Sequence, residues 1–323
     1  MSVIKSVKSW VDKESSRGGK SKLTVLASFI KDYFRYGVNP KEYYMFHFDG
    51  KTHEQKSTFF TRKMFREFLK RNNDPQFRQI LNDKYIFSQT YAKYIGRKCI
   101  RNTSISLEKF EEFMVDVDRI VYKPVDGSGG IGIKVIDKSN YSDTKQLFDA
   151  ITALPAGVLE SWIQQHDIMS AAYPHAVNCI RVATLFRDGK CSHLGAIFTL
   201  GYGNKQIANS IQGAIFALID ITTGTVISDF CNYSDEVYRE HPDTGFVPKG
   251  FVVPYWKEIM ELTAEAAALV PQVGYVGWDV AISKDGPVLI EGNSISAGYI
   301  GYQHHLLRSD NMGSRPIWGP YIN

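Results

Sequence analysis

The sequence predicts a mixed α+β protein, with helices gathered ahead of strands. Three observations carry that expectation. Apolar residues recur at helical spacing between Lys22 and Asn82. From Arg181 onward, long apolar and β-branched runs alternate with turn residues. The two regimes never settle into the regular β-α alternation of a doubly wound parallel sheet.

The elements follow in order. The first 22 residues carry six Lys and Arg against Asp12 and Glu14. That reads as a solvated, frayed terminus, with weak contact to an anionic membrane surface as the sharper alternative. Leu23, Leu26, Ile30 and Phe34 mark a first helix, and Gly37-Val38-Asn39-Pro40 stops it. A loop at Asp49-Gly50 precedes a second helical pattern at Phe65, Phe68 and Leu69. Residues 1–82 are thus expected as a helical N-terminal region. Residues 83–161 read as short strands with one helix, Asp143 to Leu154, which Pro155 ends. Residues 162–323 hold the longer strands: Arg181 to Phe186, His193 to Leu200, Ala214 to Asp220, and Gly277 to Glu291. A helix from Tyr255 to Leu269, closed by Pro271, interrupts them.

Composition bounds the function. The chain has 323 residues, 44% hydrophobic and 22% charged, with a net charge of +4. Two or three lobes are expected at that length, and the charge is too small to imply nucleic acid. Cys99, Cys179, Cys191 and Cys231 show neither a C-x-x-C pair nor metal-ligand spacing. Without a signal-like or membrane-length apolar run, the expectation is a cytoplasmic protein with no stable membrane insertion.

VYKPVDGSGGIGIKVID, from Val121 to Asp137, places one lysine before a cluster of glycines. Val121 and Lys123 share a strand face, and Ile131, Ile133 and Val135 are expected to line a second strand. Glycines between two strands exclude a Walker A loop and a G-x-G-x-x-G dinucleotide fold, both of which open a helix. Gly127, Gly129, Gly130 and Gly132 lack side chains, so their backbone N–H groups can close over phosphate oxygens as a flap. Lys123 at the base would add a point charge. The bland alternative is a Gly-rich hairpin with Lys123 reaching solvent.

GWDVAISKDGPVLIEGN, from Gly277 to Asn293, reads as a β-hairpin turning at Lys284-Asp285-Gly286-Pro287. Glu291 and Asn293 share one face, and a turn centred on Asp285 places Asp279 almost opposite Glu291. Two carboxylates that close repel unless a cation sits between them. Hard oxygen ligands favour Mg²⁺. The bland alternative pairs these acids with Lys or Arg.

With both motifs in hand, the chain resembles ATP-grasp proteins over about residues 83–300. The resemblance implies two α+β subdomains clamping ATP: residues 83–161 as the small one with the flap, and 162–323 as the large one with the metal site. It implies that Lys84 and Lys123 contact ATP phosphates, and that Gly127, Ser128, Gly129 and Gly130 form the flexible loop. Glu160 would approach the adenine amino group, and backbone near Trp162 and Ile163 would read the base edge. Asp167 would bind ribose. Asp279, Glu291 and Asn293 would hold Mg²⁺, with Mn²⁺ as an alternative ion. Arg181 resembles an arginine near the γ-phosphate, and Asn209 with Gly213 an Asn…Gly element. Gly277 departs from the arginine found there in D-alanine–D-alanine ligases, and NSISAG departs from the usual proline-glycine turn; both bear on the acceptor pocket.

Within the superfamily, Tyr36-Gly37 and the QH and VNCIRVAT segments look most like the sugar-transfer-associated ATP-grasp group. That resemblance implies an ADP-forming carboxylate–amine ligase in polysaccharide biosynthesis. It would act on a small or glycan-linked carboxylate and an amine, with Arg181 and Lys123 in catalytic roles. A hydroxyl kinase and a catalytically idle nucleotide-binding module are the rivals.

Overall fold

Ser21 accepts a hydrogen bond from the Thr24 backbone N–H, and Gly37 ends the same helix at φ 71°. Helix α2 (Lys22–Tyr36) therefore runs from a polar cap to a left-handed stop. This computed structural model describes residues 3–126, 130–203, 205, 213–295 and 298–322. The frayed terminus expected before α2 is instead a helix, α1 (Val3–Gly18). It is held because Arg17 pairs with Glu14 and Asp235, and a buried pair orders what a solvated charge would leave loose.

The face of α2 also differs from expectation. Val25, Phe29 and Asp32 are buried, whereas Leu23 and Phe34 are 79% and 81% exposed. The helix carries apolar residues on two sides, and the side with Val25 and Phe29 meets Tyr43, Phe46 and Phe48. Short helices complete this layer: α3 (Pro40–Met45), opened by the Asn39–Glu42 capping box, α4 (His53–Ser57) and α5 (Arg62–Asn72). Helices α6 (Gln79–Asn82), α7 (Lys84–Thr90) and α8 (Ala92–Ile95) lead into the strands.

Strands β1 (Cys99–Arg101), β2 (Arg119–Pro124), β3 (Lys134–Asp137) and β4 (Gly157–Ser161) form an antiparallel sheet in the order β1-β4-β2-β3. Ile120, Tyr122 and Leu159 pack under α9 (Leu107–Phe113) and α10 (Thr144–Thr152). By alternation, Val121, Lys123 and Glu160 face the other way. Ile131 and Ile133, expected in a strand, precede β3, where Gly130 and Gly132 take positive φ and bend the chain.

The second sheet is larger. After α11 (Asp167–Ala172) come β5 (Cys179–Arg187), β6 (Lys190–Leu200), β7 (Ile215–Ile219), β8 (Phe230–Cys231) and β9 (Val237–Tyr238). Helix α12 (Trp256–Leu269) is followed by β10 (Tyr275–Ser283), β11 (Gly286–Asn293) and α13 (Arg315–Trp318). The sheet order is β11-β10-β5-β6-β7-β8-β9, with every pairing antiparallel. Val276, Trp278, Val280 and Ile282 turn one face of β10 into the main core with Ile259 and Ala266 of α12. Phe65, Phe68, Tyr275, Tyr302 and Trp318 cover the opposite face. Asp279 and Arg181 project from that second face, beside a bulk of aromatic rings.

Candidate active site

The hairpin β10–β11 turns on Lys284 and Asp285, with Gly286 at φ 124°. From that turn the register runs Ser283 opposite Gly286 to Val280 opposite Leu289, and then shifts. A bulge leaves Ile290 without a partner, so Asp279 comes to lie opposite Glu291 and Gly277 opposite Asn293. Without that extra residue Asp279 would face Ile290, and the acids would leave the sheet on different sides. The pair expected from counting is therefore present, but a bulge supplies the residue that the counting had put in the turn.

Three side chains meet there. The Asn293 amide nitrogen lies 3.1 Å from Glu291 Oε1 and 3.5 Å from Asp279 Oδ2. Arg181, opposite Asp279 on β5, donates from Nε and Nη2 to Oδ1 and Oδ2, both at 2.6 Å. Burial would raise the Asp279 pKa, but this fork holds it below the ordinary carboxylate value. Glu291 moves the other way: burial and the Asp279 charge raise it. It forms no ion pair with a described residue. A buried acid with a raised pKa beside a second acid is a charge arrangement that a divalent cation resolves. The donors are hard oxygens, and rotating the Asn293 amide would present its Oδ1 to the same point. The residues present fit Mg²⁺, with Arg181 as the local counter-charge.

Across the cleft, Lys123 Nζ lies 2.6 Å from Glu160 Oε2, and Arg97 Nε donates to the same oxygen at 2.7 Å. Burial would raise the Glu160 pKa, yet these two cations hold it down to about 2. Glu160, expected toward the adenine amino group, thus spends one oxygen on both cations. Lys84 begins α7 behind its cap Asp83 and donates to Pro124 O at 3.0 Å. Burial, with the Lys123 charge adding to it, lowers the Lys84 pKa.

These groups line one cavity of about 450 Å³ between the two sheets. Lys84, Lys123, Gly130, Glu160, Trp162, Ile163, Asp279, Glu291 and Asn293 all border it. Asp167, expected at ribose, does not: it is exposed in the first turn of α11. Arg181 is absent from the lining and reaches the site only through Asp279. Gly127, Ser128, Gly129 and Asn209 lie outside the described residues.

Sequence reasoning missed Arg97. Its Nη1 donates to Leu289 O at 2.6 Å and its Nη2 to Ile290 O at 2.9 Å. It therefore ties the bulge of β11 to Glu160 of β4 across the two sheets. The only signal was Gly96 before it, where an added Cβ would come within 2.4 Å of Val288. Val121, Ile133 and Val135 of the glycine stretch also line the cavity.

The profile of the family described as sugar-transfer associated ATP-grasp matches residues 63–304. No curated protein matches. Among solved structures, the ATP-grasp ligase PsnB in complex with a minimal precursor is similar at 14% identity and TM-score 0.45; the match covers 78% of this chain and 63% of that one. D-alanyl-alanine synthetase A from Vibrio cholerae is similar at 12% identity and TM-score 0.40, over 68% and 56% of the two chains. An ADP complex of N5-carboxyaminoimidazole ribonucleotide synthetase is similar at 10% identity and TM-score 0.42, over 68% and 46%. The chain thus spans less than two thirds of the length of these relatives.

Proposed function

The chain belongs to the sugar-transfer associated ATP-grasp family, and we propose that it is an ATP-dependent, ADP-forming carboxylate–amine ligase. The observation that carries this reading is the single cavity gathering Lys84, Lys123, Asp279, Glu291 and Asn293. Two lysines on one wall and two acids with an amide on the other suit a metal-bound triphosphate. We assign the acceptor to a sugar acid or related carboxylate, and the amine to a partner substrate in polysaccharide assembly, in the cytoplasm where ATP is made available.

A carboxylate carbon is a poor electrophile, so the ligase must first convert one oxygen into a leaving group. A carboxylate oxygen attacks the γ-phosphorus, the bond to the β-phosphate oxygen breaks, and ADP departs. The amine nitrogen then attacks the acyl carbon of the resulting acyl phosphate, inorganic phosphate leaves, and the amine gives up its proton. Catalysis of both steps is positioning and charge neutralisation. Lys84 and Lys123 would neutralise phosphate oxygens, Lys123 resting on Glu160 and Lys84 on Pro124 O. Asp279, Glu291 and Asn293 would hold Mg²⁺, which when bound supplies further neutralisation of β- and γ-phosphate oxygens. Arg181, held on Asp279, would add positive charge near the transferring group.

The test is chemical capture. Hydroxylamine added to enzyme, Mg-ATP and a panel of uronic and related acids should yield a hydroxamate, with ADP and phosphate. A stable phosphate ester without hydroxamate would make the protein a hydroxyl kinase. No ADP with any acid or alcohol, despite measurable ATP binding, would leave a nucleotide-binding module.

A further inference from the structure

Helix α2 exposes an apolar ridge that no described residue covers. Leu23, Ala27, Ile30 and Phe34 fall within a narrow arc at about 100° per residue, and extend roughly 16 Å along the axis. Leu23 and Phe34 are 79% and 81% exposed, and Ile30 and Tyr33 are about half exposed. Leu23, Ile30 and Phe34, with Leu26, read in the sequence as one helical apolar face, yet Val25 and Phe29 opposite form the buried side and only Leu26 of the four packs against it. A solvated ridge of Leu, Ile and Phe forgoes the burial gain that such side chains normally contribute.

Charge singles out the same layer. Residues 1–72 hold 16 Lys and Arg against seven Asp and Glu, whereas the rest of the chain holds 22 against 27. Lys31 and Arg35 flank the ridge on exposed positions of α2. The helix then ends at Gly37, which lines a hollow of about 570 Å³ together with Lys41, Arg62, Lys63 and Arg66. Glu67 stands in the lining too, but none of these four cations forms an ion pair with a described residue. Burial and the neighbouring Arg62 charge lower the Lys41 pKa. The buried Thr61 hydroxyl beside Gly37 and Lys63 also lacks a hydrogen-bond partner among the described residues.

We infer that the N-terminal helical layer docks on an anionic membrane surface. The ridge of α2 lies in the boundary between headgroups and acyl chains, and the basic hollow takes a lipid phosphate. An apolar ridge bordered by cations is what an interfacial helix needs, and the net positive layer is complementary to anionic lipid. Docking stands independently of the ligase reading.

The experiment is vesicle co-sedimentation of the whole chain. Binding should be strong to phosphatidylcholine vesicles containing phosphatidylglycerol, weak to phosphatidylcholine alone, and should fall as salt rises. Leu23→Ser/Ile30→Ser/Phe34→Ser should lower partitioning about tenfold or more. Lys41→Gln/Arg62→Gln/Lys63→Gln should lower it about fivefold per charge, on anionic vesicles only. Exposed positions tolerate these changes, so thermal unfolding of each variant should match the parent. Equal binding of parent and ridge variant to anionic vesicles would overturn the proposal. So would a dimer, seen by sedimentation velocity, that the ridge variant disrupts in a chain that ignores vesicles.

Discussion

Lys123 and Arg97 share one oxygen of Glu160, and that sharing separates their roles. Removing a lone partner from a buried carboxylate is severe, because the remaining charge is left uncompensated. Here Arg97 remains on Glu160 when Lys123 is removed, and the Arg97 side chain is nearly inaccessible to solvent. Lys123→Ala should therefore stay folded and lose nucleotide affinity instead. A charge-assisted bond contributes roughly 1.5–3 kcal/mol, so ATP binding by calorimetry should weaken by about one to two decades. Unchanged affinity would return Lys123 to the role of a structural partner of Glu160. The sequence could place Lys123 on a face with Val121, because strand alternation is a local rule. It could not show Glu160 across from it at Val121's register position, because sheet order is set by long-range pairing.

At the scale of elements, the site depends on one irregularity. The bulge at Ile290 interrupts the ladder and leaves carbonyls that need donors, and Arg97 supplies two N–H groups to Leu289 O and Ile290 O. Lys cannot replace this, since an ammonium lacks the planar fork that reaches two carbonyls and a carboxylate at once. Arg97→Lys should relax the register that brings Glu291 opposite Asp279. The expected result is a loss of Mg²⁺-dependent thermal stabilisation by ADP, with a smaller fall in the melting temperature without ligand. A variant that keeps the full Mg²⁺-dependent shift would show that β11 holds its bulge unaided. The hairpin itself was legible, because Asp285-Gly286 marks a turn and apolar residues alternate on both sides. The bulge was not, because nothing in Val-Leu-Ile-Glu distinguishes an unpaired residue from a paired one. Helix α2 teaches the same lesson. Its period was legible, but two apolar faces compete, and only the aromatic cluster of Tyr43, Phe46 and Phe48 decides which is buried.

Over the whole molecule, the ATP-grasp fold that the sequence implied is the fold of the chain. What the sequence hid is how the N-terminal layer is fastened to the large sheet. Asp235, after β8, accepts hydrogen bonds from Arg17 of α1, Tyr44 of α3 and His305 near the C-terminus. Arg17, Tyr44 and His305 lie 218, 191 and 70 positions from Asp235, and no local pattern announces their meeting. His304 lies within this junction, wholly buried, with Nε2 3.2 Å from Met45 Sδ and its ring stacked on His305.

That junction makes the fastening sensitive to acid. Burial, with the charges of His305, Arg17 and Lys41, lowers the His304 pKa from 6.5 to about 3, although Asp235 pulls the other way. The sign follows directly. Between pH 6.5 and about 3 the unfolded chain binds a proton at this ring that the folded chain refuses, so stability is full above 6.5 and declines as pH falls. His47, on the same junction, is lowered to about 4 by burial and by Arg17, and adds to the same slope. Asp235 is held below its ordinary value by His305 and Arg17, so its contribution fades only at still lower pH. Glu14, in the same junction, is raised by burial to about 7 and opposes this slope between pH 7 and 4.5, so the contribution of the ring is read from urea midpoints as the difference between the parent and a variant lacking it. His304→Gln, which keeps the volume near that of the ring and cannot take up the proton, should start lower at neutral pH and show a shallower decline. A variant profile parallel to that of the parent would place the acid sensitivity on His47 or the carboxylates, and not on the buried ring.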